Sequence, residues 1–307
     1  MSRTKSIAHK LFLGILLAMG IGSGAAAWMR QLAADTPQAE TQPYPSPRPL
    51  QYRDIPLERG VARVLHVPAD SRWIVEPAIA PGLLAVRQFA EESGAIAVLN
   101  GGFFDPTNQQ TTSYIIRDGE VVADPAENAR LTENPDLAPY LSAILNRSEF
   151  RSYVCNGDRR YDIALRNDPV PIGCELRHAL GGGPQLLPEL TDEEEAFVAY
   201  AGEQRVRDAL GRDFRNARTA IGITQSGDLI WVVAAQQAES APQSGASLLE
   251  LADVMRELGA FKAMNLYGGS SSSMSYDGVL HFGRLDSQGQ PIERAVKSVL
   301  LLRVGAE

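Results

Sequence analysis

Asn265-Leu-Tyr-Gly-Gly-Ser-Ser-Ser-Ser-Met274 turns an apolar run, Phe261 to Leu266, abruptly into two glycines and four serines. Upstream, Ser247 to Leu258 carries Leu248, Leu251, Met255 and Leu258 on one helical stripe and stops at Gly259. The order is therefore helix, short strand, polar loop. A loop at a strand end brings backbone N–H groups and hydroxyls to one point. Those donors have little bulk and suit an anionic or polyhydroxylated ligand.

Outward from this stretch the chain reads as hairpins. Val61–Val67 and Arg72–Glu76 alternate apolar and polar residues, which predicts a first strand pair. Pro81 to Glu92 has helical spacing and stops at Gly94, and the apolar Ala95–Leu99 runs into Asn100-Gly-Gly-Phe-Phe-Asp105. Asp118-Gly119, Asn156-Gly157 and Asp277-Gly278 are tight-turn dipeptides between strand-like runs. Thr191-Asp-Glu-Glu194 reads as a capping box before a helix reaching Leu210. Thr219–Thr224 pairs with Leu229–Ala234, and Ala295–Val304 closes the chain. About ten strands and three helices result, with helices scattered among hairpins. The expected fold is α+β: a single domain over 55–307, with a mixed, mainly antiparallel sheet and a few packed helices.

The first part of the chain reads differently. Arg3, Lys5 and Lys10 precede an apolar run from Leu11 to Ala27, and Ala25 and Ala27 fit a cleavage site. Residues 1–30 are read as a signal peptide, with an uncleaved N-terminal anchor as the alternative. Residues 31–54 read as a disordered proline-rich linker. Either way the domain is exported: periplasmic, secreted or held at the membrane by its N-terminus. The net charge of −8 argues against a nucleic-acid partner, which would require a basic footprint. In an exported chain the only two cysteines, Cys155 and Cys174, invite a disulfide worth about 3 kcal/mol by loop entropy.

Four places are too polar and glycine-rich for plain connection: Asn100 to Asp105, Leu180 to Leu186, Arg215 to Thr219, and Asn265 to Ser273. Taken singly, each has an ordinary reading as a turn or a surface ion pair. Together and in this order they resemble the phosphodiester glycosidase family, that of the mannose 6-phosphate uncovering enzyme. The matching residues are Asn100, Gly102, Phe103 and Phe104; Gly181 to Leu186; Arg218 to Gly222; Glu257 to Ala260; and Asn265, Leu266, Gly268, Gly269, Ser271 and Ser272. The resemblance covers Val61 to Val304. Two departures each remove a carboxylate: Tyr267 stands where the family commonly has aspartate, and Ala235-Gln236-Gln237 stands where it commonly has Asp-Gly-Arg.

The resemblance implies hydrolysis of a sugar–phosphate linkage at the anomeric carbon. Such a site needs an anion clamp and a water activator or nucleophile. Arg218 is the expected clamp, with Ser270, Ser271, Ser272 and the Gly268-Gly269 backbone beside it. Asn100, Gly101, Gly102, Gly182, Gly183, Thr219, Gln236 and Asn265 are expected to line the substrate. Asp105 is the carboxylate beside a motif, with Asp277 and Glu175 as weaker choices. His178 is a base candidate because imidazole titrates near neutrality. Tyr267 is a candidate nucleophile, or else a ring that stacks on the sugar or fills the loop. No cofactor is implied, although Asp105 and Asn265 offer oxygen ligands for calcium. The expected partner is a carbohydrate or sugar phosphate. The missing carboxylates keep a second reading open, a non-catalytic glycan- or phosphate-binding envelope protein.

Overall fold

The computed structural model describes residues 48–305. The signal or anchor over 1–30 and the linker up to residue 47 lie outside the described residues. Among the described residues, no helix is long and apolar enough to cross a membrane.

Three antiparallel sheets enclose one core. The first has the order β1 (Gln51–Leu57), β2 (Gly60–Val67), β14 (Leu229–Ala235), β13 (Arg218–Thr224), β15 (Ala260–Leu266), β10 (Gln185–Leu187). The second runs β17 (Val279–Phe282), β16 (Ser273–Tyr276), β4 (Ala97–Asn100), β18 (Val296–Val304), β3 (Trp73–Leu84). The third runs β6 (Glu120–Ala123), β5 (Ile115–Arg117), β9 (Cys174–Gly181), β7 (Ser148–Cys155), β8 (Asp158–Leu165). A separate hairpin joins β11 (Val198–Ala201) to β12 (Gln204–Asp208). The helices are short: α1 (Val86–Ser93), α2 (Ala129–Thr132), α3 (Leu141–Ile144) and α4 (Leu248–Glu257). The class is α+β, as the hairpin-rich sequence implies.

Alternation explains how the sheets pack. Leu65, Ile221 and Trp231 of the first sheet, Leu99, Leu300 and Leu302 of the second, and Ile115, Phe150 and Leu180 of the third form one buried cluster. The opposite face of the first sheet is covered by α4, whose Leu248, Leu251 and Met255 lie against Ala220, Val232 and Ala263. Burying each of these three side chains contributes about 1.5–3 kcal/mol. Ser247 caps α4 by accepting from the Glu250 amide, and the Glu250 side chain reaches back to the Ser247 amide. The outer face of the second sheet packs on Val86 and Phe89 of α1.

Several local expectations are corrected. β2 and β3 are not partners: β2 lies between β1 and β14, whereas β3 pairs with β18. Alternation identifies a strand but carries no information about its partner. Strand β1 begins at Gln51, inside the stretch read as linker. It is a polar sheet edge whose composition resembles a linker, yet Gln51 to Leu57 pair residue by residue with His66 to Gly60. The helix expected from Pro81 starts at Val86, because Leu84 still pairs with Val296. The helix expected after Thr191 is absent. The chain makes one turn, in which the Glu195 amide donates to the Thr191 carbonyl, and then enters the β11–β12 hairpin around Gly202 at φ 62°. The strands outnumber the expected ten because several have only three or four residues, too few to show a period.

The disulfide between Cys155 and Cys174 is present and closes the edge where β7 meets β9. The carboxyl ends of β4, β9 and β15 and the amino ends of β13 and β16 fall at the same edge of the molecule, joined by direct hydrogen bonds between the segments that follow them.

Candidate functional site

The site is built where those strand ends meet. Asn100, the last residue of β4, is fully buried. Its side-chain oxygen accepts from the Thr219 hydroxyl (2.8 Å) and the Ser273 amide (3.0 Å), and its amide nitrogen donates to the Tyr267 carbonyl (2.6 Å). Asn265 donates to the Gly183 carbonyl at 2.9 Å, while the Gly183 amide donates to the Asn265 carbonyl. The Gly269 amide donates to the Ala217 carbonyl at 2.7 Å. Four segments widely separated in sequence are thus tied into one knot. The two asparagines and Thr219 are tension members within it, because their polar groups face protein rather than solvent.

The glycines are explained by the same crowding. A Cβ on Gly102 would stand 2.3 Å from the Gly181 carbonyl oxygen, and one on Gly182 would stand 2.5 Å from the Met264 methyl. Gly101 abuts the backbone of Ser298, and Gly183 abuts the buried Glu195 carboxylate. These glycines admit neighbouring chain, so their sequence reading as approach points for a ligand is replaced by a packing role.

What remains accessible is the crest of the loop. Tyr267, Gly268, Gly269 and Ser270 are partly exposed, whereas Ser271 and Ser272 are buried. Among the described residues, the Ser271 and Ser272 hydroxyls and the Asn265 side-chain oxygen lack a hydrogen-bond partner. An unpaired buried polar group costs about 1–3 kcal/mol, so such groups rarely collect without a functional reason.

Arg218 does not present a free fork here. Its guanidinium donates to the carbonyls of Ala246 (3.1 Å), Leu210 (3.0 Å), Gly211 (2.8 Å) and Phe214 (3.0 Å). Burial pushes its pKa down to about 10. The expected anion clamp is a brace that holds residues 210–214 beside the serine loop. Four of its five N–H groups are already engaged by the protein.

Two arginines passed over in the sequence flank the serine loop. Nη1 of Arg294 donates to the Ser270 hydroxyl at 2.9 Å, and its guanidinium carbon lies 5.6 Å from the Phe104 ring centre. Nη1 of Arg284 donates to the Asn216 side chain at 3.1 Å and lies 3.7 Å from the Cβ position of Gly269. Among the described residues, neither forms an ion pair. Both sit on a strap from Gly283 to Ala295 that is closed by the Leu285–Pro291 bridge. Gln236 holds the start of that strap. Its side-chain oxygen accepts from the Leu285 amide, and its own amide donates to the Gly283 carbonyl. The residue that replaces the family's carboxylate-bearing segment therefore positions Arg284. The available signal was the pair of arginines, Arg284 and Arg294, near the two ends of one segment between strands.

The remaining candidates separate. The Tyr267 ring packs against Phe103 and Phe104, each at 5.2 Å between centres, so it closes an aromatic wall. Asp105 follows Phe104 and pairs with Arg130 at 2.6 Å, while the Thr107 amide donates to its other oxygen. Burial works to raise its pKa, but the Arg130 and Thr107 contacts outweigh that and hold the carboxyl below the usual range. His178 is three residues before Gly181 on β9, about 10 Å along the strand, and its Nδ1 accepts from the Asp118 amide at 3.3 Å. Burial lowers its pKa, and it faces the β5–β6 turn instead of the serine loop. Among the described residues, no three of His, Cys, Asp or Glu converge as a metal-binding group would.

Comparison with known proteins agrees with this architecture. The sequence profile of the phosphodiester glycosidase family matches residues 93–303, and the chain belongs to that family. The fold is shared with the catalytic domain of zebrafish N-acetylglucosamine-1-phosphodiester alpha-N-acetylglucosaminidase, described as auto-inhibited by its pro-peptide. That match has a TM-score of 0.59 and 20% identity, covering 84% of this chain and 83% of that one. A hypothetical protein from Synechocystis matches with a TM-score of 0.53 at 17% identity; 83% of this chain aligns with 62% of that protein's length. A putative exported protein from Burkholderia pseudomallei matches with a TM-score of 0.53 at 17% identity, covering 79% and 74%. No curated protein matches the chain.

Proposed function

We propose that the protein is an exported hydrolase that cleaves a sugar-1-phosphodiester, with the phosphate seated between Arg284 and Arg294 above Gly269 and Ser270. The observation that carries this reading is the pair of guanidiniums flanking the exposed loop without carboxylate partners among the described residues. Guanidiniums match phosphate oxygens in geometry and charge. Water adds to the anomeric carbon, the bond from that carbon to the phosphate oxygen breaks, and the phosphate monoester departs with the electron pair. Its second pKa near 6 makes it a stable leaving group at neutral pH, so no strong general acid is required. Asp105, ionised and beside the aromatic wall, is assigned to receive the proton of the attacking water. Tyr267, backed by the buried Phe103 and Phe104, supplies the apolar surface for the sugar. Export follows from reading residues 1–30 as a signal or anchor, and the Cys155–Cys174 bond is consistent with an oxidising compartment.

The test is release of N-acetylglucosamine from the methyl phosphodiester of its 1-phosphate. Arg294→Ala is expected to lower release by about 100- to 1,000-fold while leaving the fold intact; unchanged turnover in that variant refutes the clamp. A second reading, a binding protein without turnover, is favoured by Tyr267 standing in place of the family's aspartate. Saturable binding of the same compound without sugar release, with activity gained on Tyr267→Asp, establishes that reading instead.

A further inference from the structure

A second basic recess lies far from the serine loop. It opens at the other end of β13, where Thr224 stands six residues from Arg218, about 20 Å along the strand. The cavity measures about 690 Å³ and lies between β8, the β13–β14 turn and the start of β15. Arg159, Arg160 and Lys262 line it against one carboxylate, Asp162. Lys262 pairs with Asp162 at 2.6 Å, which neutralises that carboxylate. Arg159 contacts only the Ser152 hydroxyl among side chains, at 3.1 Å, and among the described residues neither Arg159 nor Arg160 forms an ion pair. In a chain of net charge −8, two exposed arginines gathered at one recess mark a local reversal of sign.

The recess does not end there. A second cavity of about 600 Å³ shares Thr224, Gln225, Ser226 and Phe261 with it and continues towards Leu187 and Pro188. Phe261 is half exposed and stands at the junction of the two. The result is a trough with Arg159 and Arg160 at one end, Arg256, which pairs with Asp253, at the other, an aromatic ring in the middle and the hydroxyl- and amide-bearing turn of Thr224, Gln225 and Ser226 along one side. An extended ligand with alternating anionic groups and pyranose faces fits this pattern better than a compact one. The cations pair with the anions, the ring faces a sugar, and the polar turn hydrogen-bonds hydroxyls.

We propose that this trough is a second carbohydrate site, which holds a distal part of a phosphodiester-linked glycan while another part of the same polymer occupies the serine loop. The inference rests on the sugar-phosphodiester reading and extends it from a small substrate to a polymer. Tethering one strand at two sites makes the second contact intramolecular, so affinity rises with chain length once the strand can reach both.

The experiment uses mannose oligomers joined through 1-phosphodiesters, in one short and one long size, with polygalacturonate and neutral dextran as comparisons. Binding is measured by calorimetry on the whole chain and on Arg159→Ser/Arg160→Ser, two exposed positions whose replacement leaves the core untouched. The expected result is at least tenfold tighter binding of the long phosphodiester oligomer than of the short one. The double variant loses that gain, with unchanged turnover of the small methyl phosphodiester. Retention of the length-dependent gain in the variant overturns the proposal. So does equal binding of neutral dextran, or binding of polygalacturonate without binding of the phosphodiester oligomer. Absence of turnover together with an Arg159/Arg160-dependent gain defeats the hydrolase reading but leaves the trough standing.

Discussion

Arg218→Ala and Arg294→Ala separate bracing from binding. In the first variant, four main-chain carbonyls lose a charged donor at 2.8–3.1 Å. A buried acceptor left without a partner costs about 1–3 kcal/mol, and residues 210–214 are reachable by water, so most of the four fall at the lower end. Removing the guanidinium also relieves a burial that is unfavourable in itself, as its pKa of about 10 indicates. The balance resembles removal of one member of a buried charged network, about 3–5 kcal/mol of lost stability. At a urea dependence of about 2–3 kcal/mol per molar, the unfolding midpoint falls by about 1–2 M. Arg218→Lys does not restore it, because three donors on a flexible stem cannot reach four carbonyls. Arg294→Ala loses one side-chain bond to Ser270, a change within about 1 kcal/mol. If Arg294 stabilises developing negative charge on phosphate, its removal lowers turnover by about 100- to 1,000-fold. The paired assays are urea unfolding followed by tryptophan fluorescence, and sugar release under native conditions. An Arg218→Ala protein with an unshifted midpoint that no longer binds phosphate would refute the assignment and return the clamp to Arg218.

Other outcomes follow from the same geometry. Asp105 is held below the ordinary aspartate pKa of about 3.9, so its contribution is complete above that value and disappears as the pH falls towards the lower folded value. Activity dependent on this carboxylate therefore persists into mild acid, and a pH–rate profile with an acidic limb at or above pH 6 contradicts that. His178→Ala should change kcat by less than about twofold, given its distance of about 10 Å along β9; a larger loss with an unaltered fold would return His178 to the mechanism. Reducing the Cys155–Cys174 bond should lower stability by about 2–4 kcal/mol, measured by thermal unfolding with and without reductant, while KM for the small substrate stays constant. A raised KM would mean that the β7–β9 edge reaches the site.

The hairpins were legible because their signals are local. Asp118-Gly119, Asn156-Gly157 and Asp277-Gly278 all form the expected turns, with Asp118, Asn156 and Asp277 at positive φ. The helix after Ser247 was legible because its cap and its apolar stripe agree. The helix expected after Thr191 failed because the Thr191 hydroxyl, read as a cap with Glu194, instead donates to the buried Glu195 one residue further on. There Glu195 accepts from Ser148, Gln185 and Thr191. Strand β1 was missed because a sheet edge needs little apolar content when its neighbour supplies the pairing.

At the site, the four motifs and their convergence were present in the order of residues, since glycines and asparagines at strand ends imply close backbone approach. Which side chains face outward was decided only by folding. A guanidinium carries the same charge whether four carbonyls surround it, as at Arg218, or a serine loop and solvent do, as at Arg294. Composition and spacing do not distinguish those environments, because the carbonyls come from residues 210, 211, 214 and 246 and meet only when the α4 and β13 regions pack together. The sequence by itself therefore determined the family, the strand-rich architecture and the polar loop. The tertiary structure decided which cations were consumed as braces and which were left free to meet a ligand.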